Sequence, residues 1–140
     1  MPSARRLDNQ PEAIGGDFDW QRLRDQVLLP LKENRPGRYQ RYDWGEDALA
    51  EWHTVSATGA VIVEGVYTLR LELADLYDFK VWVECPGEIR LARGLARDGE
   101  EARAVWEQDW MPKEDRYVEI HRPDERADLR VNGSIPKKLF

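Results

Sequence analysis

The sequence predicts an α/β domain built on a parallel sheet, and two apolar runs set among helix-like segments carry that prediction. Residues 60–64, Ala-Val-Ile-Val-Glu, and residues 79–84, Phe-Lys-Val-Trp-Val-Glu, are predicted strands. A continuous apolar run is typical of a strand that is buried on both faces of a parallel sheet. Because strands alternating with helices indicate the α/β class, we expect a single domain over residues 1–140 with helices flanking the sheet.

The first predicted helix begins near Phe18. Asp19 is at the position of an N-cap, and Pro30 and then Pro36-Gly37 are expected to end the helical run. Residues 1–17 are polar and contain prolines and glycines, which predicts an extended lead-in. The apolar side chains of the helix recur on one face: Trp20, Leu23, Val27 and Leu31.

The other elements follow from the same patterns. Residues 39–44 are short and aromatic, which predicts an extended segment. Helices are predicted over residues 69–77, 87–98 and 112–121, with a further helical region around Trp106 and Trp110. A last short strand is predicted over residues 127–131.

Composition excludes several kinds of partner. The 140 residues carry a net charge of −6, so a general affinity for nucleic acid or for an anionic membrane is not expected. The single cysteine, Cys85, rules out an intramolecular disulfide, and the two histidines, His53 and His121, are expected on the surface. No apolar stretch approaches the length of a membrane span, which predicts a cytoplasmic protein.

Glu64 is the first candidate for chemistry. It ends the predicted strand over residues 60–64, and ligands of open parallel sheets bind beyond the carboxyl ends of the strands. A carboxylate there is suited to Mg²⁺, which uses few protein carboxylates and keeps most of its waters. The alternative is a solvated loop glutamate with no role beyond ending the strand.

A row of arginines is the second candidate. At helical spacing Arg90, Arg93 and Arg97 fall within one stripe of the predicted helix 87–98. Like charges one turn apart destabilise a helix by about 0.2–0.5 kcal/mol per pair, so an anionic ligand would make the row better tolerated. Guanidinium groups match phosphate oxygens, which predicts a nucleotide. The alternative is a solvated face that is neutralised by nearby acids: Asp98, Glu100 and Glu101.

Four segments follow one another along the chain: Gly16-Asp-Phe-Asp-Trp, Tyr42-Asp-Trp, Val61-Ile-Val-Glu-Gly-Val-Tyr and Arg90-Leu-Ala-Arg-Gly-Leu-Ala-Arg-Asp. Together they resemble uridine kinase-like proteins in order and rough spacing, and the resemblance extends from about Met1 to Gly133. It implies a P-loop NTPase-type parallel sheet with flanking helices, and transfer of the γ-phosphoryl group of ATP to a hydroxyl of a nucleoside or similar small alcohol, with Mg²⁺.

The resemblance also implies roles for individual residues. Asp19 is similar to an aspartate that contacts the substrate, and Tyr42 is similar to an aromatic residue that lines the substrate cleft. Asp47 stands where uridine kinases usually have a histidine, which puts pyrimidine recognition in doubt. Glu64 matches the acidic residue near the magnesium and is a candidate catalytic residue. The phosphate-contacting candidates of the lid are Arg90, Arg93 and Arg97, the last two also candidate catalytic residues, with Arg103 a weaker match.

The family's phosphate-binding loop is missing from this sequence. No G-x-x-x-x-G-K-[ST] string occurs in the 140 residues. By resemblance, the strand that carries the loop and the second strand are both absent, and the first of them belongs between residues 60–64 and 79–84. We therefore expect an apolar slot there, to be filled by a missing N-terminal segment or by a homo-oligomer. The alternative is a direct, non-native pairing of the two strands that closes the slot. Two functions stay open: an ATP-dependent kinase whose isolated chain is inactive, and a non-catalytic binding or regulatory domain.

Overall fold

A computed structural model describes Ile14 and residues 18–135, which form two compact units. The first unit contains the described residues up to Thr68 together with Glu72–Leu76. The second contains Leu69–Leu71 and the described residues from Tyr77 onward. The predicted lead-in lies outside the described residues apart from Ile14, and the single domain over residues 1–140 stays a prediction.

The first unit opens with the predicted helix. It comprises α1 (Trp20–Leu23), a π-helical turn (Arg24–Leu28) and α2 (Leu29–Lys32). The predicted cap is confirmed, because the Asp19 carboxylate accepts a hydrogen bond of 3.1 Å from the backbone N–H of Arg22. Pro30 does not end the helix, since it lies in the first turn of α2, where a missing N–H is tolerated.

A β-hairpin follows the helix. Strand β1 (Gly37–Asp43) pairs antiparallel with β2 (Ala48–Val55), and the register shifts between Gln40 and Tyr42. The extended segment predicted at residues 39–44 is therefore confirmed in β1. Strand β2 was not predicted, although Trp52, Thr54 and Val55 are residue types that are enriched in strands.

The predicted strand over residues 60–64 is wrong. These residues belong to no strand ladder among the described residues. The side chain of Ile62 is 90% exposed and that of Val61 is 43% exposed. An apolar run becomes a strand only where a neighbouring strand takes up its backbone hydrogen bonds, and the described chain supplies no such neighbour here. Among the described residues, this segment also forms no direct pairing with residues 79–84.

The second unit contains the parallel pair. Strand β3 (Val81–Glu84) pairs with β4 (Leu129–Asn132), with Val81 opposite Leu129. Within residues 18–135, β3 pairs with no other strand. Val81, Val83 and Leu129 are exposed, so one face of this short sheet lacks the cover that parallel sheets usually have. Two parallel strands with helices confirm the α/β class.

The predicted helices of the second unit are confirmed. Helix α4 (Gly87–Asp98) has its predicted bounds, and residues 100–121 form a nearly continuous helical run. Only four residues of the helix predicted over residues 69–77 are helical. The remaining elements are α3 (Leu71–Ala74), a 3₁₀ turn (Glu100–Ala102), α5 (Arg103–Val105), a π-helical turn (Trp106–Trp110), α6 (Met111–His121) and α7 (Pro123–Arg126).

Buried rings organise the packing of the second unit. Tyr117 of α6 is 1% exposed, and its ring centroid lies 6.4 Å from that of Trp82 in β3. The expectation of a surface His121 is wrong, because His121 is 7% exposed and its Nδ1 accepts a hydrogen bond of 3.0 Å from the backbone N–H of Leu71. His53 is exposed, as expected.

Candidate functional site

Four rings form an aromatic cluster in the first unit, which we define as Phe18, Tyr42, Trp44 and Tyr67. The ring centroid of Phe18 lies 6.0 Å from that of Trp44 and 5.9 Å from that of Tyr67. Tyr42 and Trp44 meet edge to face at 4.8 Å. Phe18 is 47% exposed and Trp44 is 56% exposed, so the cluster presents ring surface to solvent. Such a surface is suited to a flat or apolar ligand.

The cluster joins three segments that are distant in sequence. Phe18 directly precedes the helix cap Asp19, Tyr42 follows the register shift in β1, and Tyr67 lies two residues after the Glu64-Gly65 pair. Three of the four sequence motifs that carry the family resemblance therefore meet in one place. Tyr42 was predicted as a site residue from the sequence, whereas the other three rings were not. Phe18, Trp44 and Tyr67 nevertheless all lie inside the quoted motifs.

A hydrogen-bonded turn sets the position of Trp44. Asp43 Oδ1 accepts hydrogen bonds from the backbone N–H of Gly45 at 2.9 Å and of Glu46 at 3.1 Å. The Glu46 amide, followed by the Arg41 guanidinium, lowers the pKa of the Asp43 carboxyl. Asp43 therefore stabilises the connection between β1 and β2 and holds Trp44 at its tip.

Two of the predicted substrate residues are in direct contact. The Tyr42 hydroxyl donates a hydrogen bond to the carboxylate of Asp47, at the far end of the same turn. Asp47 has a φ of 49°, a left-handed conformation that aspartate and asparagine adopt more readily than most residues. The third predicted substrate residue, Asp19, uses one oxygen to cap the helix next to Phe18. The structure thus brings Tyr42 and Asp47 into contact, and their role in substrate binding stays a prediction.

Glu64 is exposed and lies just before a turn. The Thr68 hydroxyl donates a hydrogen bond of 3.0 Å to the backbone carbonyl of Gly65 and so closes that turn. Among the described residues, no group of three or more His, Cys, Asp or Glu side chains is placed to hold a metal ion. A single exposed carboxylate still fits Mg²⁺, because this ion keeps several waters and needs few protein ligands.

The arginine row lies on α4 in the second unit, and Arg90 is its most buried member. Its guanidinium pairs with the Glu114 carboxylate and lies 3.7 Å from the Asp115 carboxylate. Burial raises the pKa of the Glu114 carboxyl, and the charge of Arg90 opposes that shift. Arg90 therefore ties α4 to α6.

Arg93 and Arg97 contact other groups. Arg93 donates hydrogen bonds to the backbone carbonyls of Gly133 at 2.6 Å and Ser134 at 3.2 Å, just after β4. The Arg97 side chain is 72% exposed and pairs with the neighbouring Asp98 carboxylate at 2.6 and 2.9 Å. The three guanidinium groups thus have three separate sets of partners.

Asp98 lies between Arg97 and an indole. It accepts a hydrogen bond of 3.0 Å from Trp106 Nε1, and the bonds from Arg97 and then Trp106 lower the pKa of the Asp98 carboxyl to about 2. The expected neutralisation by acids is therefore confirmed for Asp98. Glu100 instead pairs with Arg103 at 2.5 Å, so the weaker lid candidate also has an intramolecular partner.

Glu64 belongs to the first unit and the arginine row to the second. Their convergence on one phosphate-binding site stays a prediction, as do the individual roles of the predicted site residues. Within the described part of the chain, no helix is both long enough and apolar enough to cross a membrane.

Comparisons with known proteins agree with the motifs. The profile of the phosphoribulokinase / uridine kinase family matches residues 7–138. The chain is 32% identical over 100 residues to uridine-cytidine kinase A of Dictyostelium discoideum, a match that covers 65% of this chain and 19% of the relative. It is 29% identical over 100 residues to a uridine kinase of Macrococcus caseolyticus, covering 70% of this chain and 47% of the relative.

A solved structure shows the same fold. It is described as a possible uridine kinase from Bacillus stearothermophilus, and it matches with a TM-score of 0.59 and 26% identity over 82% of this chain and 55% of its own. The likeness confirms the P-loop NTPase-type fold class. The chain spans less than half the length of both curated relatives. Since the family profile matches nearly all of the sequence, the chain belongs to the phosphoribulokinase / uridine kinase family.

Proposed function

We propose that this chain supplies the acceptor-substrate part of a nucleoside kinase site. The aromatic cluster, with the hydrogen-bonded Tyr42–Asp47 pair at its edge, is the observation that carries the proposal. The two curated relatives are by name a uridine-cytidine kinase and a uridine kinase. The proposed substrate is a nucleoside or a similar small molecule with a flat ring and hydroxyl groups.

The cluster has the two features that nucleoside binding needs. Base stacking on an aromatic side chain contributes about 1–3 kcal/mol per base, and Trp44 is the most exposed ring of the cluster. Carboxylates accept hydrogen bonds from sugar hydroxyls, and Asp19 and Asp47 are the carboxylates beside Phe18 and Tyr42. The ring surface would hold the base, and the carboxylates would orient the hydroxyl that receives the phosphoryl group.

The phosphate side of the reaction is assigned to Glu64 and to the arginine row. Glu64 would hold Mg²⁺ through its carboxylate and water, and the ion would neutralise charge on phosphate oxygens. Arg97 is the best placed of the three arginines to contact a phosphate, because it is 72% exposed and its partner Asp98 is also its neighbour in the sequence. Arg90 and Arg93 would need to leave their partners on α6 and after β4.

The residues of this chain do not fit ATP by themselves. A triphosphate is held by successive backbone amides of a glycine-rich loop and by the lysine that follows it. The 140 residues contain no such string, and the arginines are paired with groups of their own unit. We therefore expect the isolated chain to bind the nucleoside and to be inactive in phosphoryl transfer unless a P-loop segment is supplied.

Isothermal titration calorimetry of the isolated chain tests both expectations, binding of the nucleoside and lack of ATP binding. We expect measurable binding of a nucleoside and no micromolar binding of Mg²⁺-ATP. In Trp44→Ala the nucleoside affinity should fall about 10- to 100-fold, in line with the loss of one stacking contact. The matched control is Trp52→Ala, which removes an indole that is 47% exposed and covered by Arg38 at 4.6 Å on the same hairpin. Micromolar ATP affinity, or equal losses in both variants, would contradict the proposal.

A non-catalytic binding or regulatory domain is the second candidate. The contacts of the three arginines favour this candidate. Arginines with a purely structural role would be paired within the chain, as these side chains are. In-frame translation of the genomic DNA upstream of Met1 separates the two candidates. A P-loop string shortly before Met1 favours the kinase, whereas its absence there favours the regulatory domain.

A further inference from the structure

Strand β3 has an open edge that is suited to a partner. Within residues 18–135 it pairs with β4 on one side and with no strand on the other. We propose that the open edge binds β3 of a second copy of the chain, in antiparallel orientation, and so forms a homodimer. The inference concerns assembly and is independent of the proposed nucleoside site.

The backbone of β3 directs donors and acceptors to the open edge. The carbonyl of Lys80 accepts a hydrogen bond of 3.1 Å from the backbone N–H of Leu129, at the start of β4. Successive residues of a strand point their N–H and C=O groups to opposite edges, so those of Val81 and Val83 point away from β4. A strand edge with unpaired backbone groups is a template for pairing with another chain.

The side chains beside the open edge are apolar and exposed. The exposed fraction is 63% for Phe79, 44% for Val81 and 57% for Val83. Antiparallel pairing centred on Trp82 would place Val81 opposite Val83 of the second copy, on the face that is now exposed. The two valines of each copy would thereby be covered, which is a favourable use of exposed apolar surface.

The sequence of β3 identifies a second copy as the occupant. Residues 80–84 are Lys-Val-Trp-Val-Glu, with opposite charges at equal distances from Trp82. A twofold axis at Trp82 makes the segment its own partner, because Lys80 of each copy then lies opposite Glu84 of the other. Opposite charges directly across two antiparallel strands stabilise the pairing, whereas like charges destabilise it. The segment is therefore self-complementary in charge and in apolar side chains.

Both charged groups have capacity for a further partner. Lys80 Nζ lies 3.6 Å from the Asp128 carboxylate, and Glu84 Oε1 lies 3.4 Å from the Arg130 guanidinium. Both separations exceed the roughly 2.7–2.9 Å of charge-assisted hydrogen bonds. An ammonium group has three donors and a carboxylate accepts several hydrogen bonds, so each can bind across the axis while it keeps its present neighbour.

Sedimentation equilibrium of the full chain tests the proposal through charge reversal. We expect a monomer–dimer equilibrium in the parent chain. Lys80→Glu and Glu84→Lys should each weaken dimerisation about 10-fold, because each places two like-charge pairs across the axis. The double variant restores opposite charges and should recover the dimer. It also disturbs the contacts with Asp128 and Arg130, so loss of those contacts alone cannot produce the recovery.

A backbone variant gives a second measurement. Val83→Pro removes an amide donor of the open edge and no hydrogen bond to β4, a position at which strands tolerate proline. Dimerisation should be lost while thermal unfolding of the dilute chain still shows a cooperative transition.

Three results would overturn the proposal. The first is a monomer at every concentration. The second is a dimer that the single charge reversals leave unchanged, because its interface would lie elsewhere. The third is a monomer whose Val81 and Val83 amides are protected from hydrogen exchange, because a segment of the same chain would then cover the edge.

Discussion

In the first unit, Phe18 and Trp44 present ring surface to solvent beside Asp19 and Asp47, whereas in the second unit the arginines of α4 are engaged by groups of that same unit. Asp19 and Asp47 of the first unit and the arginines of the second were predicted as site residues, whereas the rings of Phe18 and Trp44 were not. The first unit has the exposure that a binding surface requires. The arginines of the second unit make contacts that stabilise the protein, so they would have to leave those partners in order to bind a phosphate.

This difference shows that exposed aromatic residues and paired arginines are not equally good evidence of a binding site. The exposed ring surface of an aromatic cluster does not stabilise an isolated chain, because burial of that surface would stabilise it further. An arginine that pairs with a carboxylate or a carbonyl does stabilise it, even without a ligand. The first unit is therefore the stronger indication of a binding site, and variants of the second unit can establish which of its arginines are structural.

The largest effect is expected at Gly94. A Cβ atom added there would lie 2.4 Å from Trp106 Cζ2, so the α4 helix and the indole cannot keep their contact in Gly94→Ala. Overpacking of this kind costs about 1–3 kcal/mol, and we expect the upper part of that range in the free energy of unfolding measured with denaturant. The result would show that the close contact of Gly94 with Trp106 helps to position α4.

Gly87→Ala is the matched control for Gly94→Ala. It lies at the start of the same helix, and its added Cβ would meet the flexible ends of two side chains, Met111 at 3.3 Å and Arg90 at 3.6 Å. The gain in helix propensity, up to about 1 kcal/mol, should make it neutral or slightly stabilising. If both variants lost the same stability, the close contact of α4 with Trp106 would not be the cause.

A smaller effect should separate Arg90 from Arg97. Arg90→Ala leaves the Glu114 carboxyl, whose pKa burial already raises, without its counter-charge. We expect a loss of about 1–3 kcal/mol in the free energy of unfolding. Arg97→Ala should change stability by less than about 0.5 kcal/mol, because exposed ion pairs contribute little.

The Arg90 and Arg97 variants sharpen the comparison between the units. If Arg97 is neutral for stability while Arg90 is not, Arg97 is the arginine that can exchange its partner for a phosphate. If both variants lose stability equally, the whole row is structural, and the non-catalytic candidate is favoured.

Most of the helices were predictable from local sequence patterns, whereas the strands depend on hydrogen bonds to neighbouring strands. The Asp19 cap and the bounds of α4 follow from residues within a turn or two, and sequence predicted them correctly. Residues 60–64 look like a buried strand in sequence, yet a strand needs hydrogen-bonding neighbours that the described chain does not supply. His121 was misjudged because its burial depends on Leu71, fifty positions away in sequence.

The candidate site, too, was only partly predictable from local sequence. The family resemblance identified Tyr42 and Asp47 separately, but a pairing between them requires the turn that begins at Asp43. The aromatic cluster joins rings from three segments, so no single sequence window contains it. The arginine spacing correctly placed three cations on one helix. It carried no information on the partner of each guanidinium.

The smallest expected effect is the titration of Asp98. Its pKa is lowered from 3.8 to about 2 in the folded chain, so its contribution to stability is present above pH 3.8 and is lost as the pH falls through about 2. Because Asp98 accepts from Trp106 Nε1, the NMR resonance of the Trp106 indole N–H should shift with a midpoint near pH 2. In Asp98→Asn that titration should disappear. Glu51→Gln removes a carboxyl of the first unit whose pKa is also lowered to about 2 and should leave the Trp106 titration unchanged. A midpoint near 3.8 would show that Arg97 is not bonded to Asp98 in solution. The contrast between the exposed rings of the first unit and the paired arginines of the second would then not hold for Arg97.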